Sequence, residues 1–273
     1  MNLNYNLIDI KHIAEMFISR KLFREIVNWQ TLLMDYIGLL RKGQGVIKLR
    51  NGAKFTIRWG TTDKWSIHEI VLRDDYHIKE IPSDSKVIID LGATVGVFSI
   101  YIASLNRQMK VYAFEPDPNN YVRLVNNVKQ NGLSARICTF REACAKEVGK
   151  RHLSLSSDHR VHSIVKGRSG KFTIVNAYPL KDIFRKNKIK TCDLLKLDIE
   201  GAEYEILYSL DPTTLGKIKC ITMEYHNINK EGGQDGKSLK KYLEAHDFSV
   251  TQKESLQRGV GSIFAVNTRQ KND

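Results

Sequence analysis

The 273 residues carry 42% hydrophobic and 27% charged side chains, ordinary values for a soluble globular chain with a sizeable core. Forty-three Lys and Arg against 30 Asp and Glu give a formal net charge of +13, which favours anionic partners: nucleic acid, acidic lipid, or a phosphorylated or carboxylated substrate. A membrane-spanning helix is excluded by the lack of any uncharged apolar run of about 18 residues, and the start MNLNYNLIDIKH lacks the basic-then-apolar pattern of a secretory signal.

Residues 7–42 repeat apolar side chains at roughly helical spacing, from Ile8, Ile13 and Phe17 through Leu22, Ile26 and Trp29 to Leu32, Tyr36 and Leu40. Lys11, Arg20, Lys21 and Arg24 lie between them, so the expected helical region packs on the neighbouring domain and offers a basic face to an anionic membrane. GVIKLRNGAKFTIRW follows. Its alternation on both sides of Asn51-Gly52 predicts a β-hairpin with a type I′ turn. A short helix is expected over 66–72, then a loop through Tyr76.

From Lys86 the pattern becomes strand–helix alternation. Strands are expected over 87–91, 111–115, 135–140, 193–198 and 219–224, and helices over 97–105, 119–131 and 202–210. This order implies right-handed crossovers and a doubly wound, mostly parallel sheet. Segments 148–155 and 171–177 are expected as further edge strands; a helix over 238–246 and strands over 248–252 and 262–266 close the chain. Cys138, Cys144, Cys192 and Cys220 form no C-x-x-C pair and read as small buried residues of a reducing compartment, so a cytoplasmic location is expected.

Ligands of open α/β sheets bind beyond the carboxyl ends of the strands. The first strand delivers Asp90, Gly92, Ala93, Thr94 and Gly96 into a turn that opens a helix. The second ends in Glu115, 25 residues beyond Asp90, where a carboxylate can hold ribose hydroxyls. A dinucleotide would want the three-glycine G-x-G-x-x-G pattern, which is absent, and Asp90 would repel a pyrophosphate. Its charge suits the ammonium and sulfonium of S-adenosylmethionine (SAM) instead. The fourth strand delivers Asp198 to the same crevice, with Glu200 and Glu203 opening the following helix.

These segments, DLGATVGVFSIYIA, FEPDPNNYVRLVNNVKQNGL, LLKLDIEGAEYEIL and MEYH, together resemble the FkbM family of SAM-dependent methyltransferases, from about Ile47 to Val266. The resemblance implies a class I, Rossmann-like methyltransferase fold with a seven-stranded sheet. It also implies O-methylation, often of a sugar or natural-product hydroxyl. On this reading 1–45 is a helical region, 46–80 a hairpin and cap segment, and 81–268 the methyltransferase domain. Asp90, Gly92, Ala93 and Gly96 would line the methionine and ribose part of SAM, Glu115 would hold the ribose, and Glu142 and Ala143 would flank the adenine. Asp198 would lie between cofactor and acceptor, with Asp63, Glu69 and Tyr76 near the site. Thr94 departs from the glycine common in the wider class.

Methyl transfer from a sulfonium needs an acceptor held in line, and a hydroxyl acceptor gains from a nearby base. His226, two residues beyond Glu224 at the fifth strand's end, is the candidate base; Asp198 and Glu200 are the other catalytic candidates. A divalent ion held by Asp198, Glu224 and His226 is a less favoured alternative. His152, His159 and His162 sit in a polar stretch and are read as a solvated loop, not a zinc site. The expected partner is a small-molecule or glycan acceptor. The rival reading is an RNA methyltransferase that uses the +13 charge, although carboxylates where amino-methylating enzymes often place a base-stacking aromatic would repel phosphates. A binding protein that kept the fold without the chemistry is a third reading.

Overall fold

The computed structural model describes residues 20–154, 172–229, 231–255 and 259–270. In chain order, two short helices, α1 (Lys21–Glu25) and α2 (Trp29–Tyr36), precede a hairpin of β1 (Gln44–Lys48) and β2 (Lys54–Arg58). Helix α3 (Asp63–Ile67) then runs into a wider π-helical turn at His68–Arg73. The main sheet begins with β3 (Val87–Leu91), α4 (Val97–Leu105), β4 (Lys110–Phe114), α5 (Pro118–Gln130) and β5 (Ile137–Phe140). A small excursion follows: β6 (Ala143–Cys144), β7 (Gly149–Ser154) and β8 (Phe172–Tyr178). The chain returns through α6 (Leu180–Lys186), β9 (Cys192–Leu197), α7 (Glu203–Tyr208), α8 (Pro212–Leu215) and β10 (Ile218–His226). It closes with α9 (Gly236–Glu244), β11 (Phe248–Glu254) and β12 (Val260–Asn267).

Seven strands lie in the order β11-β12-β10-β9-β3-β4-β5. β12 runs against both of its neighbours, and the pairs from β10 to β5 are parallel. The central strands are apolar on both faces because helices cover both. Ile88 and Leu194 face one core with α4, α5 and the hairpin; Ile89 and Leu195 face the other with α6, α7 and α9. The first core continues into Leu22, Ile26, Leu32, Ile47, Phe55 and Trp65.

The single helical run expected over 7–42 is broken within the described residues; residues 7–19 lie outside them. Ile26 forms a β-bridge with Leu49, Val27 N donates to Lys48 O (2.8 Å), and Arg50 N donates to Glu25 O (2.9 Å). Asn28 extends this pairing, donating to Val46 O and accepting from Lys48 N, both at 2.8 Å. The hairpin outcompetes the helix here because β-branched Ile26 and Val27 fit a pleated edge at little cost.

The hairpin itself stands, with Lys48 opposite Lys54, but its turn is not type I′. Gly52 N donates to Leu49 O and Leu49 N to Ala53 O, and of Asn51 and Gly52 only the glycine has positive φ, at 93°. This is a three-residue loop with a left-handed glycine. Asn51 is held out of that region by its side chain, which accepts from Ala53 N and donates to Ser104 Oγ.

The segments expected as edge strands of the main sheet instead build a separate sheet, β6-β8-β7. Leu153, Val175 and Ala177 turn inward and pack with Ala143 and Ala145, so these strands bury their own small core. The four cysteines are free; Cys144, Cys192 and Cys220 are buried and Cys138 is half-buried. Among the described residues no helix is long and apolar enough to cross a membrane.

Candidate active site

The ends of β3, β4 and β9 meet around one pocket. Asp198 N donates to Leu91 O (3.1 Å), which draws the loop after β9 onto the loop after β3. A side chain at Gly92 would place its first carbon 1.8 Å from Asp198 O, and Gly92 sits at φ +81°. Only glycine allows this approach. Gly92 N and Ala93 N both donate to Phe114 O, and Gly96 starts α4 with room for Leu124 to pack against its bare backbone.

Glu115 ends β4 with 4% of its surface exposed. Oε2 accepts from Thr94 N and Oε1 from Asp117 N, both at 2.8 Å. Burial, opposed by those two N–H groups, pushes its pKa up to about 8. Each oxygen accepts one backbone bond, and a carboxylate oxygen can accept two. The remaining capacity faces a pocket that Glu115 lines together with Gly92, Thr94, Glu142, Ala143, Asp198 and Glu200. This donor-seeking carboxylate beside a bare glycine backbone fits the ribose and methionine portions of SAM.

Asp90 plays a different part from the one its charge suggested. It is fully buried; Oδ2 accepts from Ser99 Oγ (2.6 Å) and Oδ1 lies 3.0 Å from Lys196 Nζ. Its charge is neutralised inside the protein and does not face a ligand's ammonium. Ala93 and Gly96 likewise support the loop from behind.

Lys196 is the residue that sequence reasoning missed. It is 2% exposed, donates to Gly92 O (3.1 Å) and lies 3.6 Å from Asp198 Oδ2. Its ammonium also lies over the Tyr76 and Phe98 rings, 5.3 and 5.6 Å from their centres. Burial alone would depress its pKa; Asp90 and Asp198 outweigh that and raise it. The signal was a lone lysine inside the apolar run LLKL, where a buried cation requires buried acids on adjoining positions. Tyr76 completes the group, donating its hydroxyl to Asp198 Oδ2 at 2.8 Å. Burial and then Asp198 push the Tyr76 pKa far up, so it stays a donor.

Beyond Asp198 the mouth of the site is acidic. His226 Nε2 lies 3.4 Å from Glu200 Oε2 and 3.9 Å from Glu224 Oε1, and Nδ1 lies 3.7 Å from the buried Glu203. Tyr204 fixes the strand end by donating to His226 O (2.8 Å). Burial pulls the His226 pKa down, but Glu203, Glu200 and Glu224 together lift it to about 9. Glu224 is itself raised, by burial and then by Asp198 and Glu69. Glu200 adopts φ 52°, a left-handed setting that strains a non-glycine residue. Of the other expected residues, Asp63 is not brought to the site: it pairs with Arg58 at 2.5 Å on the hairpin side. His152 stacks on Phe172 in the small sheet, and His159 and His162 lie outside the described residues. Leu153 and Cys144, from that same sheet, line the pocket. Leu153 was not foreseen because its strand was expected at the edge of the main sheet, and Cys144 because it reads only as a small buried residue.

A parallel sheet with its last strand inserted in reverse beside β10, and a buried carboxylate closing the second strand over a glycine turn, define a class I SAM-dependent methyltransferase. The sequence matches the Methyltransferase FkbM domain over residues 90–250, more than half of its length. The chain belongs to the FkbM methyltransferase family. It is 25% identical over 226 residues to the AMB antimetabolite synthetase AmbE of Pseudomonas aeruginosa, a match that takes in 68% of this chain but spans only 10% of that protein. It is 23% identical over 255 residues to the 31-O-demethyl-FK506 methyltransferase FkbM of Streptomyces tacrolimicus, over 80% of this chain and 91% of that one. Among solved structures, methyltransferase FkbM from Methylobacillus flagellatus KT shares 16% identity and a TM-score of 0.48, over 74% of this chain and 53% of the other.

Proposed function

We propose that this protein transfers the methyl group of SAM to a hydroxyl of a sugar-like or other small-molecule acceptor. The observation that carries the reading is the meeting of Asp198 and Glu200 at the cofactor pocket with His226 one contact beyond, 3.4 Å from Glu200. SAM supplies a methyl group already activated by its sulfonium, so the chain's own work is to bind, align and remove a proton. In this reading Glu115 accepts the ribose hydroxyls, and Glu142 and Ala143 flank the adenine. Lys196 and Tyr76 hold the Asp198 carboxylate in one orientation, so that it faces the pocket and orders the acceptor hydroxyl. His226, held with its pKa near 9, takes the proton in its neutral form, and its three carboxylates stabilise the imidazolium that results. The name of the Streptomyces relative, which states methylation at an oxygen, agrees with this acceptor chemistry.

Asp198, Glu224 and His226 are a poor shell for a divalent ion as arranged here. An imidazole ligates only when deprotonated, and Asp198 is already paired with Lys196. Among the described residues no group of three His, Cys, Asp or Glu converges in metal-holding geometry. The net charge of +13 favours RNA as acceptor, but the acids at the mouth oppose a phosphate backbone there.

Two measurements test the proposal. His226→Ala should keep SAM affinity near wild type and reduce turnover by on the order of 10²–10⁴. Mass spectrometry of glycan, glycolipid, small-molecule and RNA fractions from cells with and without the gene should show a small-molecule or glycan species lighter by one methylene in the deletion. A lost methyl confined to RNA would overturn the acceptor assignment.

A further inference from the structure

Among the described residues eleven large apolar side chains are exposed, and four of them fall within residues 27–39: Val27 (49%), Met34 (44%), Ile37 (54%) and Leu39 (68%). Met34 in α2 and Ile37 at its C-terminal cap lie three residues apart and share one stripe, whereas Val27 stands apart on the extended segment paired with β1. Leu39 joins them, because its backbone N–H donates to Met34 O (2.9 Å). The opposite side of α2 is buried through Leu32, Asp35 and Tyr36. Scattered apolar exposure is ordinary on a protein surface; a contiguous stripe marks a contact.

The charge around the stripe is one-sided. Arg20 and Arg24 lie at one end and Arg41 and Lys42 at the other, all exposed. The acids nearby do not balance them. Asp35 is fully buried beside Lys64, at 3.8 Å, and Glu25 is half-buried. An apolar strip flanked at both ends by cations, with no exposed acid between residues 20 and 43, complements a surface that is apolar within and anionic at its rim. We infer that the α1–α2 face docks on an anionic lipid bilayer, with Met34, Ile37 and Leu39 entering the headgroup boundary and the four cations on the phosphates. A nucleic acid would use the cations but leaves the apolar strip unexplained, and an acidic protein surface does the same.

The test uses the full chain, with residues 1–19 kept in every variant. Wild type should co-sediment with mixed phosphatidylcholine and phosphatidylglycerol vesicles, should ignore phosphatidylcholine alone, and should lose binding as salt rises. The double variant Ile37→Ser, Leu39→Ser should bind the anionic vesicles on the order of tenfold more weakly, as should Arg41→Gln, Lys42→Gln. Both should keep wild-type melting temperature and SAM affinity, since the four side chains are exposed and remote from the pocket residues. Binding that is absent at low salt, or that survives the Ile37 and Leu39 changes, would overturn the inference. So would a lipid-free dimer in sedimentation velocity that the same changes dissolve, which would make a second copy the occupant.

Discussion

Glu115 and His226 are both moved from their ordinary pKa values, and the movements have opposite consequences for the cofactor and for the chemistry. Glu115 is lifted to about 8 by burial, so near neutral pH the free protein holds it mostly protonated. Hydroxyl donors from a ribose favour its ionised form, so SAM binding should expel a proton. Calorimetry in buffers of different ionisation enthalpy should detect that proton at pH 7, and affinity should weaken as pH falls below about 8. Glu115→Gln should remove the pH dependence and cost about 1–3 kcal/mol of binding. The same raised pKa means that Glu115's contribution to stability is whole below its usual 4.5 and is lost as pH rises through about 8. His226, raised to about 9, is charged at neutral pH and acts as a base only as pH rises toward that value. Turnover should therefore climb to about pH 9, and a flat profile between 7 and 9 would remove His226 as the base. Tyr76→Phe deletes one donor to Asp198 without changing shape. Turnover should fall roughly tenfold with SAM affinity almost unchanged, the loss of one hydrogen bond to a charged group. If Tyr76 is only packing, the variant should instead match wild type in turnover. Glu115 and Asp198 were legible because each directly follows a strand's carboxyl end. Lys196 was not, since its meaning depends on Asp90 lying on the neighbouring strand, directly opposite it in register.

At the scale of elements, β3 and α4 have the bounds that apolar runs and glycine turns imply, and both are buried on the faces their patterns require. Local pattern failed where a partner distant in sequence decided the outcome. Ile26 has helical spacing, yet Leu49 claims it for the hairpin; segments 149–154 and 172–178 have strand pattern, but nothing in it says which sheet they join. The same kind of long-range claim fixes the hairpin on α5. Thr56 N donates to Asn127 Oδ1 (2.9 Å), and Asn127 Nδ2 donates to Val95 O (2.7 Å) and Thr56 O (3.2 Å). Lys54 pairs in the same way with Asn131, whose amide takes the backbone N–H and returns a bond to the backbone O. Two side-chain amides thus stand in for a missing strand along β2. Asn127 is fully buried, so Asn127→Leu keeps the branching of the side chain but strands three backbone groups. It should lower stability by about 3 kcal/mol or more in urea unfolding. It should also weaken SAM binding, because Val95 belongs to the turn that carries Thr94. A loss of stability with unchanged affinity would show that this tie does not reach the cofactor loop.

The whole molecule can be asked whether its hairpin region and its sheet unfold together. All three tryptophans, Trp29, Trp59 and Trp65, belong to the region before β3, whereas the far-ultraviolet circular dichroism signal is dominated by the doubly wound sheet and its helices. Because one core runs from Leu22 and Phe55 through Ile88 to Leu124, tryptophan fluorescence and circular dichroism should report one transition with one midpoint. Separated midpoints would make the region before residue 81 a unit of its own.

The amides along β2 also set a schedule. The partners of Lys54 and Thr56 lie 77 and 71 residues further along the chain, so on the ribosome the hairpin is complete well before Asn127 and Asn131 exist. At ordinary elongation speeds that interval lasts roughly 4–15 s. Throughout it, the outer edge of β2 is an open row of backbone donors and acceptors, flanked by Phe55 and Ile57 whose burial has not yet been arranged. Such an edge invites pairing with another nascent chain. Lys54 and Arg58, at the two ends of that strand, repel a second copy during the wait. Arg58 also holds the buried Asp63 in the finished fold, so the test falls on the exposed Lys54: Lys54→Gln should reduce the yield of soluble protein during synthesis more than it lowers the melting temperature of the protein that does fold.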